Sequence, residues 1–91
     1  MGLSDIMMIN KTDYLKIRKY IQSICLDNLR ELCEKVGLNE YESNLLIYTN
    51  KNETRVYTAM KLGVCESTVS KTKNKIFRKI KDYLIKHNIE Y

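Results

Sequence analysis

The sequence predicts an all-α fold, a small helical domain of about five helices that closes on a helix-turn-helix. Three observations carry that reading. Proline is absent and only three glycines occur in 91 residues, while Lys, Leu, Ile and Glu are abundant, a composition that favours helix over most of the chain. Apolar residues recur at spacings of three and four, so each segment acquires one face to bury. Residues that cap helix starts and glycines that close helix ends stand at the borders of these segments. A chain of this length makes one domain with a small core, and no repeat at a solenoid period is visible.

Taken in order, the first helix starts at Thr12 as its cap and carries Tyr14, Ile17, Tyr20, Ile21, Ile24 and Cys25 on one stripe. That stripe then loses phase: at about 100° per residue, Leu29, Leu32 and Val36 lie roughly a quarter-turn away and Asn28 falls on the apolar side. A break at Asp27 and Asn28 resolves the conflict, because Asn28 and Glu31 make a capping-box pair that opens a second short helix ending at Gly37. Asn39 with Glu42 repeats the box and opens a third helix. Its apolar side is Tyr41, Leu45 and Tyr48, with Leu46 and Ile47 alongside. Residues 49–53 are a polar connector, Thr54 caps a helix over Arg55 to Leu62, and the last helix runs from about Glu66 to Lys86, about 31 Å at 1.5 Å per residue. Residues 1–37 thus form an N-terminal tail and helices, and 38–91 the helix-turn-helix region of one compact domain.

Within the second part, Thr54 to Lys81 has the layout of a helix-turn-helix. Ala59 is the small residue where two helices cross, Gly63 makes the tight turn at little backbone cost, and Val64 and Val69 are apolar plugs. Around the last helix Val69, Ile76, Ile80, Tyr83 and His87 form one side, with Phe77 and Leu84 at its margin. Ser67, Lys71, Asn74 and Arg78 lie opposite, with Ser70 and Lys75 flanking them. This second stripe offers hydroxyl, ammonium, amide and guanidinium groups suited to base edges or phosphates, and Thr68 is near enough to bond a backbone phosphate. A polar stripe is also the ordinary outer face of any helix in water.

Charge points the same way. Residues 1–50 carry six Lys/Arg and seven Asp/Glu, whereas residues 51–81 carry nine Lys/Arg against Glu53 and Glu66. A local excess of this kind suits a polyanion, since each phosphate neutralised releases condensed counterions.

Other chemistries lack their parts. Cys25, Cys33 and Cys65 form no C-x-x-C pair and read as small buried hydrophobes; His87 is the only histidine, and no phosphate loop or dinucleotide glycine pattern occurs. Neither an enzyme nor a cofactor or metal is expected. The N-terminal segment has an apolar tetrad at Ile6 to Ile9 without the form of a signal peptide. No apolar run approaches 18 residues, so no membrane span is expected and the expected location is cytoplasmic.

From Leu38 to Leu84 the chain resembles the DNA-binding fourth region of bacterial sigma factors and related response-regulator and phage domains. The likeness rests on Leu38-Asn39-Glu40 opening a helix, Thr54, Ala59, Leu62-Gly63-Val64, Ser67-Thr68-Val69 and the Ile76/Ile80 tail. It implies a supporting first helix and a second helix in the major groove, with Ser67, Ser70, Lys71 and Asn74 on bases. It also implies that Thr54 and Arg55 touch phosphate, a set that Thr68, Lys75 and Arg78 extend. Three positions depart from the pattern: Thr58 replaces a large aliphatic, Cys65 a Ser or Thr cap, and Thr72 an Ile or Val. Each lost aliphatic is expected to weaken the helix pair by about 1–2 kcal/mol.

The leading expectation is a sequence-specific, double-stranded-DNA-binding transcriptional regulator of a phage or mobile element. The alternatives are a sigma-like module that docks on RNA polymerase through its apolar face, and a phage DNA-packaging or architectural protein. The stripe of the first helix, together with Ile6 to Ile9, either builds a homodimer or covers the core. Ile85 projects from the polar outer stripe, as a partner contact or a frayed end would.

Overall fold

A computed structural model of the chain describes residues 9–91. The helices in order are α1, Lys11–Ser23; α2, Leu26–Val36; α3, Glu40–Asn50; α4, Arg55–Leu62; and α5, Glu66–Lys86. The fold is all-α, as the composition and periodicity predict.

Local chemistry sets most of the borders. Asn39 and Glu42 close a full capping box: the Asn39 side chain accepts from the Glu42 N–H at 2.8 Å, and the Glu42 carboxylate accepts from the Asn39 N–H at 3.2 Å. Thr54 accepts from the Tyr57 N–H at 3.0 Å and starts α4. Gly37 and Gly63 end α2 and α4 with φ of 83° and 69°. In each case the N–H of the next residue, Leu38 or Val64, donates back to a carbonyl in the last turn, Cys33 or Ala59.

Three borders differ from the sequence reading. Thr49 and Asn50, expected in the connector, belong to α3, where Thr49 is buried and its Oγ1 donates to the Leu45 carbonyl at 3.0 Å. The cap of α1 is Asn10 rather than Thr12, because the Asn10 carboxamide accepts from the Asp13 N–H at 2.8 Å and so starts the helix a turn-fraction earlier. The break between α1 and α2 falls at Ile24 and Cys25, not at Asp27 and Asn28, which lie inside α2. Its cause is remote in sequence. Asn50, at the end of α3, donates through Nδ2 to the Ile21 and Ile24 carbonyls at 2.7 and 2.9 Å, satisfying acceptors that the end of α1 leaves open.

Among the described residues one core joins all five helices, with α3 in contact with each of the other four. Ile17, Ile21, Leu29, Leu45, Leu46, Val69, Ile76, Phe77, Ile80 and Leu84 are fully buried. Phe77 and Leu84 therefore occupy the centre of the α5 stripe, not its margin, because α1 lies on that side and stacks Tyr14 on Phe77 with ring centroids 4.8 Å apart. His87 is exposed beyond the helix end against Tyr83. The stripe of α1 belongs to the interior of the monomer: Ile17 and Ile21 are at its centre, with Tyr14, Tyr20 and Ile24 packed beside them. Ile9 joins the same core, while Ile6, Met7 and Met8 lie outside the described residues.

The cysteine expectation holds for Cys33 alone. Cys25 and Cys65 are exposed, each at the residue just before a helix. Thr58 does not leave the helix pair loose through a stranded hydroxyl, for it is buried and its Oγ1 donates to the Thr54 carbonyl at 2.9 Å.

An ion pair ties α1 to α5: Lys81 Nζ on α5 lies 2.6 Å from Asp13 Oδ2 on α1. The Lys81 hydrogen bond is the main cause that holds the Asp13 carboxyl below its ordinary 3.8, and Asp13 in turn raises Lys81 above 10.5. A depressed carboxyl contributes stability that is full above its unfolded pKa and lost as pH falls through the lower folded one. A raised amine contributes below its unfolded pKa and loses that share as pH climbs through the higher folded one. Asp13→Asn is therefore expected to lower the melting temperature between pH 3.8 and 10.5. In stronger acid, below the folded pKa of Asp13, the two melting curves should converge; a constant difference down to that pH would refute the assignment.

Candidate nucleic-acid interface

The helix pair α4 and α5 meets at Gly63-Val64-Cys65. Burial of one side of α5 fixes which side remains outward. Val69, Ile76 and Ile80 are in the core, so Ser67, Lys71 and Lys75 emerge exposed on the opposite side, with Arg78 half-buried between Ser67 and Lys71 around the helix and Asn74 half-buried at the edge. Lys71 and Lys75 have no carboxylate within ion-pair distance among the described residues.

The remaining sequence-predicted residues are held in specific ways. The Asn74 amide is turned back on its own helix, with Nδ2 donating to the Ser70 carbonyl at 2.9 Å, so a base contact from this group needs a rotamer change. Ser70 faces α4 instead of standing on the outer stripe: Arg55 donates to its hydroxyl at 3.3 Å. The same guanidinium pairs with Glu66 at 3.2 Å, which pins the start of α4 to the start of α5. Thr54 is exposed and engaged as the cap of α4, and Thr68 is half-buried with its hydroxyl 3.1 Å from the Cys65 sulfur. Of the nine predicted residues, Ser70 and Arg55 are bonded to each other, and Ser67 and Thr68 share the Cys65 sulfur at the start of α5.

No family model matches this chain, and no curated protein or solved structure does. Its chemistry has to be read from its own side chains. Among the described residues no three His, Cys, Asp or Glu side chains converge in a metal-binding group, and no helix is long and apolar enough to cross a membrane.

Cys65 adds chemistry at the start of α5 that an ordinary Ser or Thr cap does not have. Its sulfur lies 3.1 Å from both the Ser67 and Thr68 hydroxyls, and these hydrogen bonds, Ser67 first, bring the thiol down to about 7 from an ordinary 9.0. Burial instead pushes the Cys33 thiol up. Since the thiolate is the nucleophile, iodoacetamide is expected to label Cys65 well before Cys33, with a rate that rises through pH 7. Peptide mass mapping of a timed reaction checks this, and equal labelling of the two sites would contradict the geometry.

Two cations escaped the sequence reading. Arg18 on α1 and Lys73 on α5 line, with Arg55, Thr54 and Ser70, an open cleft of about 420 Å³ beside the helix pair. A signal for Lys73 was present: at about 100° per residue it falls between Ile80 and Leu84, a charge on the apolar stripe. Nothing comparable marked Arg18, whose position on the exposed side of α1 is ordinary for an arginine.

Proposed function

We propose that the protein is a sequence-specific DNA-binding transcriptional regulator that lays the N-terminal half of α5 in the major groove. The observation that carries this reading is the division of α5: Val69, Ile76, Phe77, Ile80 and Leu84 are wholly buried, while Ser67 and Lys71 stand outward and Asn74 lies at the edge of the same face. An outward helix held at its start by a second helix and a glycine turn is the arrangement that presents side chains to base edges. Lys71 and Asn74 have the chemistry to read guanine and adenine respectively, and Lys75, Arg78, Thr54, Arg55 and Thr68 are the phosphate contacts.

Electrophoretic competition between genomic and random duplexes, at two salt concentrations, tests the reading. Once a preferred duplex is in hand, Lys71→Ala and Asn74→Ala should each reduce discrimination by about 1–3 kcal/mol while random-sequence binding changes little. Lys75→Ala and Arg78→Ala should weaken all sequences alike. Full specificity in the Lys71 and Asn74 variants would mean that another face reads the bases.

One observation favours the second reading, docking on a protein such as RNA polymerase. Val56 and Met60, one turn apart on α4, are 61% and 68% exposed, and Ile85 on α5 is 55% exposed. Val56→Lys with Met60→Lys should abolish capture of purified RNA polymerase if docking is the main activity; if duplex DNA is the partner, the wild type captures no polymerase and the double variant keeps its duplex affinity.

A further inference from the structure

The apolar stripe of α5 is interrupted by one cation. Lys73 is half-buried, lies around the helix between the fully buried Ile80 and Leu84, and lines the cleft formed where α1, α4 and α5 meet. Arg18 from α1 and Arg55 from α4 line the same cleft. Burial, and then the fields of these two guanidiniums, push the Lys73 ammonium below its ordinary 10.5. Arg55 has Glu66 as a partner, but neither Lys73 nor Arg18 has a carboxylate within ion-pair distance among the described residues. Glu53 also lines the cleft and reaches none of the three. Three converging cations, one of them partly withdrawn from water, disfavour the empty folded state and favour one with an anion between them.

We propose that this cleft is a seat for a phosphate group, with Lys73, Arg18 and Arg55 as its charged contacts and the Ser70 hydroxyl at its wall. Guanidinium groups match the geometry of phosphate oxygens, and a lysine adds a point charge. Two sources present this chemistry. A backbone phosphate of duplex DNA can reach the cleft because Thr54, Arg55 and Ser70, which border it, lie at the ends of α4 and α5 that the DNA reading sets against the duplex. A free phosphate ester also fits, since about 420 Å³ falls within the range of small-ligand sites.

The test is calorimetric titration of the whole chain with inorganic phosphate at constant ionic strength, for the wild type, Lys73→Met and Arg18→Gln. Saturable binding by the wild type, at least tenfold weaker in each variant, is expected. Lys73→Met should also melt at a higher temperature than wild type in phosphate-free buffer, because it removes an uncompensated cation; this separates loss of the site from loss of the fold. A wild type that does not bind phosphate saturably, or variants that bind it as the wild type does, would overturn the proposal.

Glycerol phosphate and a short duplex then identify the source. If a backbone phosphate fills the seat, phosphate competes with duplex, and Lys73→Met lowers the slope of log K against log salt by about one. If a free ester fills it, glycerol phosphate binds tighter than inorganic phosphate and Lys73→Met keeps its duplex affinity. Either result retains the seat. The proposal rests on the cleft alone, so a wild type that takes up phosphate and ignores duplex removes the DNA reading and leaves this one in place.

Discussion

Ile17→Asp is expected to unfold the protein, and Leu15→Asp, two residues away on the same helix, is expected to leave it folded. Ile17 is fully buried between α1 and the rest of the core, whereas Leu15 is 44% exposed. Losing a buried isoleucine side chain costs about 2–5 kcal/mol, and an unpaired carboxylate in the same place adds several more. A domain of this size has about 5–15 kcal/mol in total, so the first substitution consumes most of it; the second, at the surface, changes stability by about 0.5 kcal/mol or less. Far-UV circular dichroism beside sedimentation reads the result. A folded Ile17→Asp monomer obtained from a wild-type dimer would place the α1 stripe at a subunit interface and contradict the core described above. A homodimer of the folded protein has to use other surface, such as the exposed Val56 and Met60 of α4.

The contrast between those two readings of α1 shows where sequence reasoning succeeds. Caps are local, so Asn39, Thr54, Gly37 and Gly63 could be placed from a few neighbouring residues, and the starts of α3 and α4 and the ends of α2 and α4 follow. The break between α1 and α2 depends on Asn50, which reaches carbonyls 26 and 29 residues earlier in the chain, and no local pattern encodes that bond. The helical periodicity of α5 identified the right faces, but the position of Phe77 at their centre depends on where α1 lies. The stripe on α1 carried no information about what covered it, since a core helix and a dimer helix need the same apolar spacing.

The same distinction separates the two parts of the candidate site. Ser67, Lys71 and Asn74 share a face by spacing alone, and that was legible. The cleft exists only because α1 brings Arg18 to the side of α5 where Lys73 interrupts the apolar stripe. Lys73 was a visible irregularity without a visible explanation. Cys25 and Cys65 depart from the buried expectation for a related reason: a cysteine packs like a small hydrophobe, but each of these is the extended residue just before a helix and is exposed there.

Duplex affinity should fall about 250- to 1,000-fold between 50 and 200 mM salt, the effect of a slope of about −4 to −5 in log K against log salt. The segment 51–81 supplies nine cations, but the structure removes some from the count. Lys81 is held by Asp13 at 2.6 Å, Arg55 by Glu66 at 3.2 Å, and Lys79 lies 3.6 Å from Glu42, so these three start with internal counter-charges. Lys71 and Lys75 are exposed without a paired carboxylate and Arg78 lies on the same face; with the cleft residue Lys73, and with Arg55 exchanging Glu66 for a phosphate, the charge suffices for about four to six phosphates. Fluorescence anisotropy with a labelled duplex over that salt range measures the slope, and Lys75→Ala should reduce its magnitude by about one. A slope near zero, or no duplex binding at the lowest salt, would show that the basic face is merely solvated and would put the protein-docking reading, with Val56 and Met60 as its contact, ahead of the DNA one.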